Sequence, residues 1–311
     1  MQNYQMNKAE FDKLFQSVSN WGRWGSDDEL GTLNFLTPDK IVGASALIHS
    51  GRTVSMSMPI DTMASPDNLN PAIHHMTRGF DMVNERGEPL VATDFLGCDC
   101  HGNAHSHFDA LCHIAYGGKM YNGKELSNVT SKGSKIMDIT KYAKGIVGRG
   151  VLLDIPKLRR KKWLEPGEAV TVEDILKAEK NQGVQLEEGD LFALQVGHYR
   201  RRMELGPWNV ESGLGRAGLH PAVMKLLHER KISAFLPDGD GEIVPSPVEG
   251  VAYPVHALQI TAMGLACGDS LNLEELSKAC EEENRWEFLA VVSPLRLPGG
   301  TGSLVNPIAI F

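Results

Sequence analysis

Three short apolar runs set the terms on which this chain can fold. Val147-Gly-Arg-Gly-Val-Leu-Leu-Asp154 and Leu191-Phe-Ala-Leu-Gln-Val-Gly-His198 carry apolar blocks of strand length, and Ile232-Ser-Ala-Phe-Leu236 is a third. Such blocks, bounded by turn residues, read as strands buried on both faces. Helical segments lie between them. Thr171-Val-Glu-Asp-Ile-Leu-Lys-Ala-Glu-Lys has Thr171 as N-cap with Asp174 three residues on, close to a capping box. His220-Pro-Ala-Val-Met-Lys-Leu-Leu-His228 is a second helix, leading into the 232–236 strand. Helices alternating with apolar strands argue an α/β protein.

Residues 8 to 19 suit a short helix, and Thr37 with Pro38 opens another, as N-cap and first-turn proline. Trp21-Gly-Arg-Trp-Gly-Ser-Asp-Asp-Glu-Leu-Gly-Thr-Leu-Asn34 between them suits an aromatic loop. Thr53 to Pro59 alternates as a strand, and a long polar stretch with no clear period follows to about residue 90, with His74-His75 read as surface-loop residues. After Phe288-Leu-Ala-Val-Val comes a glycine-rich loop to Ser303; it is no P-loop, because no Gly-Lys-Ser/Thr follows. No internal repeat, low-complexity tract or linker divides the chain. Residues 1–311 therefore read as one domain, with 1–50 a helical and aromatic N-terminal extension packing on it.

The chemistry concentrates in thirteen residues. His101-Gly-Asn-Ala-His105-Ser-His107-Phe-Asp109-Ala-Leu-Cys-His113 holds four of the eleven histidines and a carboxylate. Positions 101, 105, 107, 109 and 113 share one parity, so in an extended chain their side chains face one side. At about 3.3 Å per residue a fully extended run carries its ends too far apart, so a turn after Asp109 is required to bring His113 back. Imidazole and carboxylate donors suit zinc, manganese or iron, and three protein ligands leave positions for water. A closed structural zinc site built on Cys98, Cys100 and Cys112 is the competing reading.

Composition narrows the partners. A net charge of −8 and a pI near 5.8, with no basic run longer than Arg159-Arg160-Lys161-Lys162, argue against nucleic acid and acidic lipid. The N-terminus lacks a charged-then-apolar leader, no stretch of eighteen uncharged apolar residues occurs, and the five cysteines show no framework spacing. A cytoplasmic protein with reduced thiols and no membrane partner is the expectation.

These segments resemble the cyclase-like metal-dependent hydrolases, which include bacterial kynurenine formamidase (arylformamidase) and isatin hydrolase. Ser106 to His113 resembles the second half of that family's His-x-Gly-Thr-His-x-Asp-x-Pro-x-His motif. Trp21-Gly-Arg-Trp-Gly, Gly31-Thr-Leu-Asn, Gly118-Lys-Met-Tyr-Asn-Gly, Gly148-Arg-Gly-Val-Leu-Leu-Asp154 and Pro294 to Ser303 resemble its long branch. The resemblance implies a mixed, barrel-like sheet flanked by helices, of the swivelling β/β/α type, and a homodimer or higher oligomer. It implies His107 and Asp109 as metal ligands, His113 as acid/base, and His256 and Asp269 as the distal histidine and acid. The family's first histidine falls on Asn103, so either His101 or His105 supplies that ligand.

The implied activity is a metal-dependent hydrolase, with one Zn2+ or Mn2+, opening a small cyclic or aryl amide, lactam or lactone by attack of an activated water. A metal-dependent lyase or cyclase and a non-catalytic metal-binding protein are the alternatives. Trp24 and Tyr121, with Trp21, Phe108 and Tyr116, are candidate aromatic lining for the small-molecule substrate, and His256 is placed to orient substrate or water.

Overall fold

The computed structural model describes residues 5–81 and 90–311. Its centre is a nine-stranded mixed sheet, curled into a half-barrel and flanked by helices. The strands are β1 (Thr53–Ser55), β2 (His107–Asp109), β3 (Ile146–Asp154), β4 (Leu191–Gln195), β5 (Ala234–Pro237), β6 (Ala266–Asp269), β7 (Glu287–Val292), β8 (Gly302–Leu304) and β9 (Ile308–Ile310). Across the sheet they run β1-β9-β7-β3-β4-β5-β6-β2-β8. β3, β4, β5 and β6 are parallel, whereas β2 and β8 continue the sheet antiparallel.

The apolar runs explain the layers. Val151, Leu153, Phe192, Leu194 and Phe235 pack into one core with the helices, while Leu152, Leu191, Ala193, Ala234 and Leu236 pack into a second core on the opposite face. The two sets alternate along each strand, as a period of two requires. Truncating one of these phenylalanines to alanine costs about 3–5 kcal/mol.

Helix Val172–Gln182 begins with the Thr171/Asp174 capping box, and Lys8–Val18 with a second one from Asn7 and Glu10. Phe11, Phe15 and Val18 form the buried stripe of the N-terminal helix, which packs on Val223–Glu229 and on the π-helical segment Ala257–Met263. Helix Pro38–Ser45 packs against β3 and β7; Thr37 precedes it, but its side chain makes no capping bond. No helix among the described residues is long and apolar enough to cross a membrane.

Two local expectations need correction. The strand expected over Thr53–Pro59 ends at Ser55, because the Met58 N–H leaves the ladder to donate to Ser106 Oγ, at 2.8 Å. That bond ties the segment to the histidine loop. Within the polar stretch, Ile73–Arg78 and Thr93–Gly97 pair as an antiparallel hairpin, and His74 and His75 are exposed on its first strand.

Candidate metal centre

β2 places the key pair by its position between β6 and β8. Cross-strand register sets Asp109 opposite Cys267 and His107 opposite Asp269, so all four side chains share one face. Phe108 points into the core on the other face, opposite Gly268, where an added Cβ would meet its ring at 3.0 Å. On the β8 side, a Cβ on Gly302 would approach His101 Cε1 to 2.6 Å. Gly302 therefore makes the room that the His101 imidazole occupies.

The donors converge. His101 Nδ1 lies 2.9 Å and His107 Nε2 3.6 Å from Asp109 Oδ1, and His113 Nε2 lies 3.8 Å from Asp109 Oδ2. On the far side His107 Nε2 is 3.9 Å and His256 Nε2 is 3.1 Å from Asp269 Oδ2. Two groups of possible ligands share Asp109: His101, Asp109 and His113, and Asp109, His256, Cys267 and Asp269.

The ring orientations are held from outside. His107 Nδ1–H donates to the His105 carbonyl at 2.9 Å, which leaves Nε2 as a lone pair facing the site. His101 Nε2 pairs with the Thr301 hydroxyl at 2.9 Å, and its ring stacks on His113 with centroids 3.9 Å apart. His256 Nδ1–H donates to Glu242 Oε1 at 3.0 Å, and the same carboxylate accepts the backbone N–H groups of Val255 and His256. A carboxylate behind a ligand histidine fixes its tautomer and raises its basicity.

Electrostatics follow from this crowding. Burial works to raise the Asp109 carboxyl, but His113, His101 and His107 outweigh it and hold Asp109 well below the usual carboxylate range. Burial opposes protonation of His101, yet Asp109 and Cys100 win and raise it to about 10. Burial dominates at His113 and lowers it to about 4, so that its imidazole is neutral at pH 7. His256 is raised well above its ordinary value because Asp269, Cys267 and Glu242 overcome its burial.

This donor set fits a divalent cation. Both Asp109 oxygens and His101 Nδ1 are buried without a hydrogen-bond partner, although two of them stand 2.9 Å apart. Atoms so close and yet misaligned for a hydrogen bond suit ligands turned towards a common ion. Tetrahedral ligands about 2.0–2.1 Å from zinc lie about 3.3–3.4 Å from one another. The separations here, from 2.9 Å for His101–Asp109 to 3.9 Å for His107–Asp269, bracket that span.

A cavity of about 320 Å³ opens over these atoms, with Asn103, Ile114, Asp240 and Tyr253 completing its wall. His101, His107, Asp109, His113, His256 and Asp269 all reach it. His105 does not: its Nε2 pairs with the Asp61 carbonyl at 3.0 Å, and it serves the site only through its own carbonyl. The expected turn after Asp109 is present, but the extended backbone expected before it is confined to His107–Asp109, and the turn ahead of that strand is what sends His101 inwards and His105 away.

Trp24 and Tyr121 also lie outside the cavity. Trp24 packs edge-on against Phe35, and Tyr121 is buried with its hydroxyl donating to Asp28 at 2.9 Å. Trp21 packs against Phe15 and Tyr116 against Phe11 and Phe15 in the N-terminal helix. Cys98, Cys100 and Cys112 join neither donor group; the cysteine that does is Cys267. Asp240, Glu242 and the fully buried Arg216 were not among the expected site residues. The signal for Asp240 and Glu242 is the run Asp238-Gly-Asp-Gly-Glu242 directly after β5, at the carboxyl edge where open α/β sheets bind ligands.

Comparison with known proteins places this geometry in a family. A crystal structure described as a novel cyclase is 28% identical, with a TM-score of 0.82, over 94% of this chain and 99% of that one. Isatin hydrolase A from Ralstonia solanacearum is 19% identical, with a TM-score of 0.57, over 83% of this chain and 91% of its own. A predicted metal-dependent hydrolase from Bacillus stearothermophilus is 15% identical, with a TM-score of 0.52, over 83% of this chain and 97% of its own. Comparison with curated proteins gives no match. The model of the putative cyclase family matches residues 54–240, which is more than half of the sequence, and the chain belongs to that family.

Proposed function

We propose that this protein is a metal-dependent hydrolase that opens a small cyclic or aryl amide, lactam or lactone. The observation that carries the reading is the convergence of His101, His107, Asp109, His256 and Asp269 on one cavity with a neutral His113 at its mouth. Isatin hydrolases and metal-dependent hydrolases of the same fold support it.

A divalent ion held by these residues would acidify water and polarise a carbonyl oxygen. Nitrogen and oxygen donors suit Zn2+ or Mn2+. Neutral His113 accepts the proton at Nε2 as the water oxygen bonds to the carbonyl carbon. The C–N or C–O bond then breaks, and His113 returns that proton to the leaving nitrogen or oxygen. Ile114 and Tyr253 offer apolar surface to a ring, and about 320 Å³ lies at the small end of ligand pockets, which favours a compact substrate.

The test is a zinc- or manganese-loaded screen against phthalimide, an N-formyl arylamine and an aryl lactone in 18O-water. Hydrolysis incorporates the label into the acid product; a lyase or cyclase releases product without it, and no turnover with any of them leaves a metal-binding protein. A homo-oligomer belongs to the same proposal. The hairpin Ile73–Arg78/Thr93–Gly97 leaves Ile73, Met76, Phe95 and Leu96 exposed, and a two-stranded hairpin uncovered on both faces is marginal by itself. Light scattering reads the outcome, and a monomer at micromolar concentration removes this part of the proposal.

A further inference from the structure

His101, Gly102 and Asn103 form a partition between the cavity over the donors and a neighbouring one of about 370 Å³. Arg216, 1% exposed, stands behind this partition. One arm of its guanidinium donates to Asn103 Oδ1 and another to Asp240. A guanidinium has donors only, so the Asn103 amide turns its oxygen towards Arg216 and its NH2 away from it. Which end of an asparagine is which is fixed here by a partner unable to accept. Asp240 balances the charge of Arg216, and Asn103 lines both cavities, so its NH2, the end turned away from Arg216, is an N–H donor without net charge. With its oxygen engaged by a cation, Asn103 is not itself a metal ligand.

We propose that the Asn103 amide N–H donates to the carbonyl oxygen of a neutral substrate and strengthens that bond as the oxygen gains negative charge during water addition. This rests on the hydrolase reading above. Arg216 is then a positioning residue that acts through Asn103. The arrangement suits uncharged amide, lactam or lactone carbonyls, because a neutral N–H donor matches a neutral carbonyl oxygen without bringing a net charge to it.

The experiment compares manganese-loaded wild type with Asn103→Asp and Asn103→Ala. Asn103→Asp keeps an acceptor for Arg216 and loses the donor, which separates the proposed role from packing. Three readouts are taken: bound manganese by elemental analysis, benzamide binding by calorimetry, and kcat and KM on phthalimide and formanilide. The expectation is equal metal in all three proteins and benzamide affinity lower by about 3- to 10-fold in both variants, the worth of one neutral hydrogen bond. Turnover falls by about 100-fold, as for removal of one oxyanion donor, while KM rises by no more than the loss in benzamide affinity.

Asn103→Asp equal to wild type in binding and turnover would overturn the proposal, as would loss of metal in either variant or failure of wild type to bind benzamide. If wild type binds benzamide in an Asn103-dependent way and hydrolyses neither probe, the donor role stands and the hydrolase reading falls.

Discussion

The near and far walls of the metal centre are built on different terms. The near wall, His101 to His113, is one contiguous stretch, and its outer histidines keep 23% and 25% of their side chains exposed. The far wall draws Arg216, Asp240, Glu242, His256, Cys267 and Asp269 from distant points of the chain, and its His256 and Asp269 side chains are only 7% and 3% exposed. The near wall is a loop stapled to a three-residue strand; the far wall is carried by the ends of β5 and β6 and by the short helix Pro254–His256 that leads into the buried π-helical segment. Exposed donors can exchange protons with solvent, whereas buried ones are locked in position by neighbouring carboxylates. On the proposed hydrolase reading, this division suits His113 to proton traffic and the far wall to rigid holding.

Asp109 belongs to both walls, so its removal should have the largest effect. Asp109→Ala is expected to bring bound metal to background with loss of all turnover, measured by elemental analysis; a stoichiometric ion in the variant would break the idea of a shared ligand. His113→Ala should keep the metal and reduce turnover by about 100-fold or more, as loss of a general acid/base does. Loss of the ion in that variant would instead add His113 to the ligands of the near wall.

The far wall is probed through Glu242→Gln. Weakening the partner of His256 should lower metal affinity by about 10- to 100-fold in a chelator competition. Unchanged affinity would mean that the ion rests on the near wall alone. Gly302→Ala pushes a methyl group against His101, and an effect of about tenfold on the same affinity is expected.

Fold and site were legible to different depths, for physical reasons. The apolar runs that became β3, β4 and β5, and the Thr171 cap, depend on neighbours in sequence, and they could be read there. The 101–113 cluster is marked by density of residue type, and His107, Asp109 and His113 are singled out within it only by the family resemblance. His101 could not be separated from His105 by parity, because the chain turns before β2 and parity holds only in extended backbone. Trp24 and Tyr121 looked like pocket lining because they neighbour motif segments in the sequence, yet their rings complete contacts with Phe35 and Asp28. Arg216 carries no local pattern of its own, and Glu242 only its place in the 238–242 run. Their roles arise only when β5 and β6 are set beside β2.

A separate effect, on stability, lies beside the far wall. His198 is buried, and burial, then Arg216, Arg201 and Arg202, lower it to about 3. The folded protein therefore keeps it neutral where the unfolded chain, with a pKa near 6.5, takes up a proton. This contribution to stability is complete above about pH 6.5 and is lost as pH falls towards 3, at up to about 1.4 kcal/mol per pH unit. Urea midpoints measured from pH 7 to pH 5 should fall less steeply for His198→Gln than for wild type; equal slopes would remove His198 from the acid response.

The most direct measurement is anomalous diffraction from crystals grown with zinc or manganese. The account predicts an ion between Asp109 and the imidazoles of His101 and His107, with His105 still bonded to the Asp61 carbonyl. Well-ordered side chains at these positions with no anomalous peak between them, at saturating metal, would contradict it.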